Sequence, residues 1–262
     1  MNENKVLHIA SWNVNSLTVR LDQALEWLAS TKTDVLALQE TKLTDDKFPV
    51  NIFQEQGYHV VFSGQKSYNG VAIVSRYPIE EVTTDIPELI DPQRRILVAT
   101  IAGIRLINLY VPNGASVGTD KYEYKLMWLE KVTYYIQQQL NLYPKVAVVG
   151  DFNIAPEDQD VHDPEEWKGC VLVSPLEREA FFKWIDLGLQ DPFHQFTQDQ
   201  IYSWWDYRAG GFRRNRGLRI DHILLSEPLL KQCLACYIDI EPRRSERPSD
   251  HAPVRATLAI AK

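Results

Sequence analysis

The stretch Val148-Val149-Gly150-Asp151-Phe152-Asn153-Ile154-Ala155-Pro156, VVGDFNIAP, decides how the rest of the chain is read. An apolar run of strand length ends at a glycine, and a carboxylate and an amide follow two positions apart. With Lys145, Val146 and Ala147 ahead of it, the run predicts a buried strand over 145–150, because its apolar residues are consecutive. A core strand that stops on Asp151 and Asn153 either closes in an Asx turn before Pro156 or delivers two polar groups to the rim of a sheet.

Working outward, similar runs predict strands over 6–12, 34–40, 58–63, 70–76, 95–101, 104–110, 218–225 and 252–260, several of them alternating as half-buried strands do. Helices are expected over 17–29, where Leu17, Leu21, Leu25 and Leu28 share a face, over 121–140, where Tyr122, Leu126, Leu129 and Val132 do, and near 175–187. No repeat, low-complexity tract or Gly/Ser linker divides the chain, so residues 1–262 are expected to form one domain. Strands linked by both short hairpins and helices point to an α/β four-layer sandwich, two packed mixed β-sheets flanked by helices.

Composition fits a protein with a full core: 45% of residues are hydrophobic and 24% charged. The net charge of −7 argues against a broadly basic nucleic-acid binder. The arginines are nevertheless clustered, with Arg213, Arg214, Arg216 and Arg219 in GFRRNRGLR, Arg94 and Arg95 in DPQRR, and Arg243, Arg244 and Arg247 in EPRRSERP. These clusters are either a local phosphate footprint or solvated loops. Cys170, Cys233 and Cys236 are odd in number and sparse, and Cys233 and Cys236 have no second metal-ligand pair, so all three are expected to be ordinary thiols in a reducing compartment. The opening MNENKVLHIASW lacks the layout of a signal peptide, and no apolar run is long enough to span a membrane. A cytoplasmic protein with no membrane partner is expected.

Polar groups stand at other predicted strand ends too: Asn13 after Trp12, Gln39 and Glu40, Asn108 and Tyr110, Asp221 in RID, and Asp250 with His251 before the last strand. Each alone has a bland explanation, as a turn residue, a surface carboxylate or a core aromatic. If the ends converge, they make a pocket of oxygen ligands with one imidazole, which suits a hard divalent cation such as Mg²⁺ or Mn²⁺ better than zinc.

Taken in order, SWNVNSL, LALQETK, NLYVPNG, VVGDFNIAP, GLRIDHIL and RPSDHAPV resemble the exonuclease III family of abasic-site endonucleases, within the wider group of DNase I-like nucleases and phosphatases. The resemblance runs from Ile9 to about Thr257, and the Tyr110 block, SWWDYR and NRGLRID narrow it to the bacterial exonuclease III branch. It implies a metal-dependent DNA repair nuclease, incising duplex DNA 5′ to abasic sites, trimming damaged 3′ ends, or both. Glu40 resembles the family's main metal ligand, with Asn13 beside it. Asp151 would orient or deprotonate the water, and Asn153 would support it and the phosphate. His251 would donate a hydrogen bond to phosphate or act as the base, Asp221 would fix its tautomer, Asp250 would hold a second cation, and Tyr110 would contact the phosphate near the leaving oxygen. Asp151, Asn153 and His251 also count among the implied ligands.

For DNA, the resemblance implies an apolar cavity for a base-free sugar lined by Trp204, Leu218 and Ile220, with Arg94 entering the duplex and Lys121, Lys125 and Arg213 at the backbone. The protein would act as a monomer. Residues 157–173 look shorter than the matching loop in some relatives, which leaves open the balance of abasic incision, 3′ trimming and exonuclease action. Two other classes stay open: a related phosphodiesterase on a non-nucleic substrate, which the acidic charge favours and SWWDYR opposes, and an inactive nucleic-acid-binding module, which the complete set of ligand-type residues opposes.

Overall fold

The computed structural model describes residues 5–87, 89–197 and 199–260. Its strands are β1 Lys5–Asn13, β2 Val35–Gln39, β3 His59–Ser63, β4 Val71–Ser75, β5 Ile79–Thr83, β6 Ile96–Ile101, β7 Ile104–Tyr110, β8 Val146–Asp151, β9 Leu189–Gln190, β10 Trp204–Trp205, β11 Gly217–Leu218, β12 Asp221–Ser226, β13 Cys233–Ile238 and β14 Val254–Ile260. The helices are α1 Leu17–Thr31, α2 Val50–Glu55, α3 Asp120–Leu142, α4 Pro164–Trp167, α5 Pro175–Asp186, α6 Phe193–Phe196 and α7 Glu227–Leu230.

Two six-stranded sheets result, ordered β13-β14-β1-β2-β4-β3 and β5-β6-β7-β8-β12-β9, with β10 and β11 forming a separate ribbon. Each large sheet is antiparallel except for one central parallel pair, β1 with β2 and β7 with β8. The crossovers of those pairs contain α1 and α3, as a parallel connection requires.

Strand parity builds the layers. Leu7, Ile9, Val35, Ala37, Val71 and Ile73 of the first sheet meet Leu97, Ala99, Leu106, Ala147, Val149 and Ile223 of the second in one core between the sheets. The intervening residues point outward. Ala10, Trp12, Leu36 and Leu38 pack on Leu17, Ala24, Trp27 and Leu28 of α1, while Val98, Ile107, Val146 and Val148 pack on Trp128, Leu129, Val132 and Ile136 of α3 and on Phe181 and Trp184 of α5. The molecule is the four-layer sandwich expected, and the central strands of both sheets are buried on both faces.

Several boundaries differ from the sequence expectation. The strand expected over 34–40 stops at Gln39, since Glu40 has φ 51°, which no ladder accommodates. The run 218–225 is broken in two, because Ser203 Oγ accepts from the Ile220 and Asp221 amides at 3.0 Å each and takes them out of a sheet pairing. The last strand starts at Val254 because Pro253 has no amide hydrogen to donate. The expected strand set lacked the two-residue strands β9 and β10, β5, an edge strand carrying exposed Glu80 and Glu81, and β13, whose run is broken by a bulge between Cys233 and Ala235. Gln39 and Asn108 are not rim groups. They clamp the two sheets through a 2.7 Å bond from Gln39 Nε2 to Asn108 Oδ1, and Asn108 Nδ2 donates to the Leu38 and Ala72 carbonyls.

Candidate active site

The register of the central pairs sets the site. Asn13 ends β1 opposite Gln39, Tyr110 ends β7 opposite Asp151, and Asp151 in turn faces Asp221 across β8 and β12. Glu40 turns off the end of β2 in a left-handed conformation, and Asn153, φ 50°, does the same after β8. Local bonds hold both turns: the Glu40 carbonyl accepts from Ser16 N at 2.8 Å, and Asn153 N donates to Asp151 Oδ1 at 2.9 Å. His251 arrives from the other direction, just before β14, its carbonyl accepting from Trp12 Nε1 at 3.1 Å.

These ends line a cavity of about 320 Å³. Its polar wall carries Glu40, Tyr110, Asn113, Asp151, Asn153, Asp250 and His251, and its apolar wall Trp167, Val171, Leu172, Trp204 and Ile220, with Asp206 and Arg208 at the mouth. Asp151 is buried, and Asn13 Nδ2 bridges it to Glu40, donating to Asp151 Oδ2 at 2.8 Å and Glu40 Oε1 at 2.9 Å. The Asn13 Oδ1 accepts from Asn15 N at 2.9 Å. Asn13, expected as an oxygen ligand, is thus a spacer between two carboxylates, and turning its amide over would set an oxygen against both. Glu40 Oε2 pairs with Lys42 at 3.0 Å. Asp250 accepts from Asn15 Nδ2 at 2.9 Å and from Trp204 Nε1 at 3.1 Å.

The imidazole is fixed at Nδ1 and turns Nε2 toward a second carboxylate. His251 Nδ1 lies 2.8 Å from Asp221 Oδ2, which also accepts from Ser203 Oγ at 2.7 Å, and Nε2 lies 3.7 Å from Asp151 Oδ2. Burial opposes the imidazolium, but Asp221 and Asp151 outweigh it and push His251 up to about 10. Burial lifts the Asp151 carboxyl to about 7, with Asp221 and Glu40 adding repulsion against the pull of His251 and the Asn13 amide. Burial together with Glu40 and Asp151 raises the Tyr110 phenol well above its usual range, so it stays protonated beside them.

The donor set fits a hard divalent cation: the polar wall carries three carboxylates and two carboxamides, Asp206 adds a fourth carboxylate at the mouth, and no cysteine lines the cavity. Asp151, Asp221 and His251 also bring potential ligand atoms within 4.8 Å of one another, but there the Asp221–His251 bond already engages the ring.

The chain matches the endonuclease/exonuclease/phosphatase family over residues 10–251. It belongs to that family. It is 35% identical over 260 residues to exodeoxyribonuclease III of Haemophilus influenzae, covering 94% of this chain and 97% of that one. Among solved structures, a 3′ phosphatase from Neisseria bound to a product DNA hairpin is 45% identical, with a TM-score of 0.95 over 96% of this chain and 99% of that one. An AP endonuclease from Archaeoglobus fulgidus is 42% identical, with a TM-score of 0.93 over 97% of this chain and 100% of that one.

Within this family member the outer residues divide. Lys121 lines a neighbouring groove of about 480 Å³ that shares Tyr110 and Asn113 with the cavity, and Arg213 is exposed on the 208–216 turn. Arg94 lies outside both, paired with Asp85 at 3.0 Å, while Arg95 sits 4.6 Å from the centre of the Tyr110 ring. Lys125, expected at the DNA backbone, is wholly buried and paired with Glu177, so it contacts no ligand. Leu218, expected on the cavity wall, is also wholly buried; it packs with Val161, Leu172 and Ile220 behind that wall. Arg219 and Arg243 leave the phosphate footprint as well. Arg219 is buried between Asp160 at 2.6 Å and Asp191 at 2.7 Å, and Arg243 lies under the rings of Trp205, Tyr207 and Phe212.

The sequence reading missed Asn113, Asp206 and Arg208, although all three stand inside NLYVPNG and SWWDYR, and missed Trp167, Val171 and Leu172 in the 157–173 loop, which only its length had drawn attention to. Trp167 meets Trp204 edge to face, ring centres 6.5 Å apart. Ser203, the first residue of SWWDYR, was missed too.

Proposed function

We propose that the protein is a divalent-cation-dependent DNA repair nuclease that hydrolyses phosphodiesters, incising duplex DNA 5′ to abasic sites and trimming damaged 3′ ends, as a monomer in the cytoplasm. The observation that carries this reading is the single cavity in which a carboxylate cluster and the Asp221–His251 pair meet an apolar wall of Trp204 and Ile220. The named activities of the relatives support it.

Bound near Glu40 and Asp250, a Mg²⁺ or Mn²⁺ ion would neutralise charge on the phosphate. The chain's own groups do the rest. His251 Nε2–H donates to a non-bridging oxygen, where charge grows in the transition state. Asp221 holds the ring with that nitrogen forward, as a carboxylate on the second ring nitrogen does elsewhere. Asp151, whose carboxyl burial has raised to about 7, takes a proton from the attacking water, and Asn153 orients both water and phosphate. Tyr110, protonated, hydrogen-bonds near the leaving oxygen. The apolar wall accepts a deoxyribose lacking its base, for which extrusion from the duplex costs least. Outside the cavity, Lys121 and Arg213 contact the phosphate backbone, and Arg94 enters the duplex.

The test uses three labelled substrates, a duplex with one abasic site, a nicked duplex with a 3′-phosphate and an intact duplex, each with Mg²⁺ or EDTA. Metal-dependent nicking 5′ to the abasic site and release of the 3′-phosphate are expected. No cleavage of any substrate with Mg²⁺ or Mn²⁺ would refute the reading.

A further inference from the structure

Lys125 sits in the second turn of α3 with its whole side chain buried, and all three of its ammonium hydrogens have acceptors. Nζ donates to the Asn153 carbonyl at 2.7 Å, to the Asn113 carbonyl at 3.2 Å and to the Glu177 carboxylate. Glu177 in turn accepts from Leu172 N at 3.0 Å and from Ser174 N at 3.1 Å. One ammonium therefore ties together the three loop segments that carry Asn113, Asn153 and Leu172 to the cavity.

A buried ion pair is weak evidence of stability, because desolvation takes back much of the Coulomb attraction. Two of the three acceptors here are carbonyls, and both belong to residues whose carboxamides meet at the cavity, Asn113 Nδ2 donating to Asn153 Oδ1 at 3.2 Å. Asn153 is also held in a left-handed turn, φ 50°, which an asparagine adopts only at a cost and keeps only where the surroundings fix it. An apolar residue at 125 would fill the same space and leave both carbonyls unpaired.

We propose that Lys125 is a positioning residue for phosphodiester hydrolysis: its buried ammonium fixes the Asn113 and Asn153 peptides and so aims their carboxamides at the reacting phosphate and water. This rests on the reading of Asn153 given under the proposed function.

Lys125→Met alone leaves Glu177 buried without a cation and is expected to lower the melting temperature. The decisive variant is Lys125→Met with Glu177→Gln, which removes both charges. A second pair, Lys125→Gln with Glu177→Gln, keeps a hydrogen-bond donor at 125 without charge. Assayed on the abasic duplex at a temperature where circular dichroism shows the native fold, the Met pair is expected to lose roughly 10- to 100-fold in kcat with little change in KM, the scale on which small misplacements act. The Gln pair should fall between it and the wild type. Adding Asn153→Ala to the Met pair should cost far less than adding it to the wild type, since the amide is already misplaced. A Met pair with wild-type kcat, or an Asn153→Ala loss equal in both backgrounds, would overturn the inference. A wild-type protein that cleaves nothing would instead overturn the proposed function.

Discussion

Asp221→Asn separates charge from geometry at His251. Asp221 Oδ2 takes the bonds from His251 Nδ1 and Ser203 Oγ, whereas Oδ1 is buried with no hydrogen-bond partner among the described residues. An asparagine can keep its oxygen on the ring and the serine and put its NH₂ where no donor stands, so the ring stays in place while the charge is lost. The gap between the ordinary 6.5 of histidine and about 10 corresponds to about 5 kcal/mol in favour of the imidazolium. A unit charge near 4 Å contributes about 4 kcal/mol at an effective dielectric constant of about 20, so the charge on Asp221 supplies most of that gap. In the variant the ring should titrate near 7, and Asp151, relieved of a repelling carboxylate, should ionise more readily.

The assay is kcat on the abasic duplex from pH 6 to pH 9, with the imidazole followed by NMR in EDTA. At pH 8 only about a tenth of the variant's rings would be protonated, so it is expected to be slower by about 10-fold, and the deficit should narrow toward pH 6 as the ring regains its proton. Stability carries the same signature. Because the folded pKa of His251 is raised, its contribution is complete below 6.5 and is lost as the pH climbs toward about 10. That alkaline decline should be absent from Asp221→Asn. A variant whose rate profile runs parallel to the wild type, or whose ring still titrates near 10, would refute the reasoning.

Glu40→Gln removes one carboxylate charge with little change in volume, so the Mg²⁺ concentration for half-maximal activity should rise by orders of magnitude with an unchanged melting curve; an unchanged titration would remove Glu40 from the cation site. Trp204→Phe keeps a ring on the apolar wall but drops the indole N–H that bonds Asp250 at 3.1 Å, so metal demand should rise while the ratio of abasic to 3′-phosphate cleavage holds. Trp204→Ala should lower that ratio as well, as an activity comparison on both substrates would show. Arg219→Met should cost about 3–5 kcal/mol in urea unfolding at pH 7, since it strands buried Asp160. Burial favours a protonated Asp160, but Arg219 holds its carboxyl far below the usual range; without the guanidinium it should rise, so the deficit should shrink as the pH falls toward 4.

The parity of apolar residues and the strand-end carboxylates were legible in the sequence because period and burial are local properties. What a polar residue does once buried was not. Gln39 and Asn108 had the same strand-end look as Asp151, but they face each other between the sheets, and only the register of β2 against β7 says so. Lys125 offered a clue that went unused: with Tyr122, Leu129 and Val132 it lies on the buried stripe of α3, so its spacing already pointed inward. Arg219 and Arg243 gave no such signal. Arg219 is paired with Asp160 and Asp191 from distant loops, and Arg243 with three aromatic rings of the 205–212 segment and with the Ser249 carbonyl six residues along.

Why the strand ends converge at all follows from strand direction. In each sheet the parallel pair puts two carboxyl-terminal ends on one edge, which gives Asn13 and Glu40 in the first sheet and Tyr110, Asp151 and Asn153 in the second. An antiparallel neighbour contributes its beginning to that same edge, so β12 must open with Asp221 and β14 must be preceded by Asp250 and His251 for their groups to arrive there. The Gln39–Asn108 clamp then fixes how far one sheet slides on the other, and with it the 3.7 Å between His251, which leads into the first sheet, and Asp151 of the second. Each half thus brings part of the site: the first sheet carries Glu40, Asp250 and His251, the second Asp151 and Asp221, and neither alone pairs the imidazole with its aspartate. The close contacts within the site are therefore a consequence of sheet packing, and substitutions in the clamp should act on catalysis without touching the cavity.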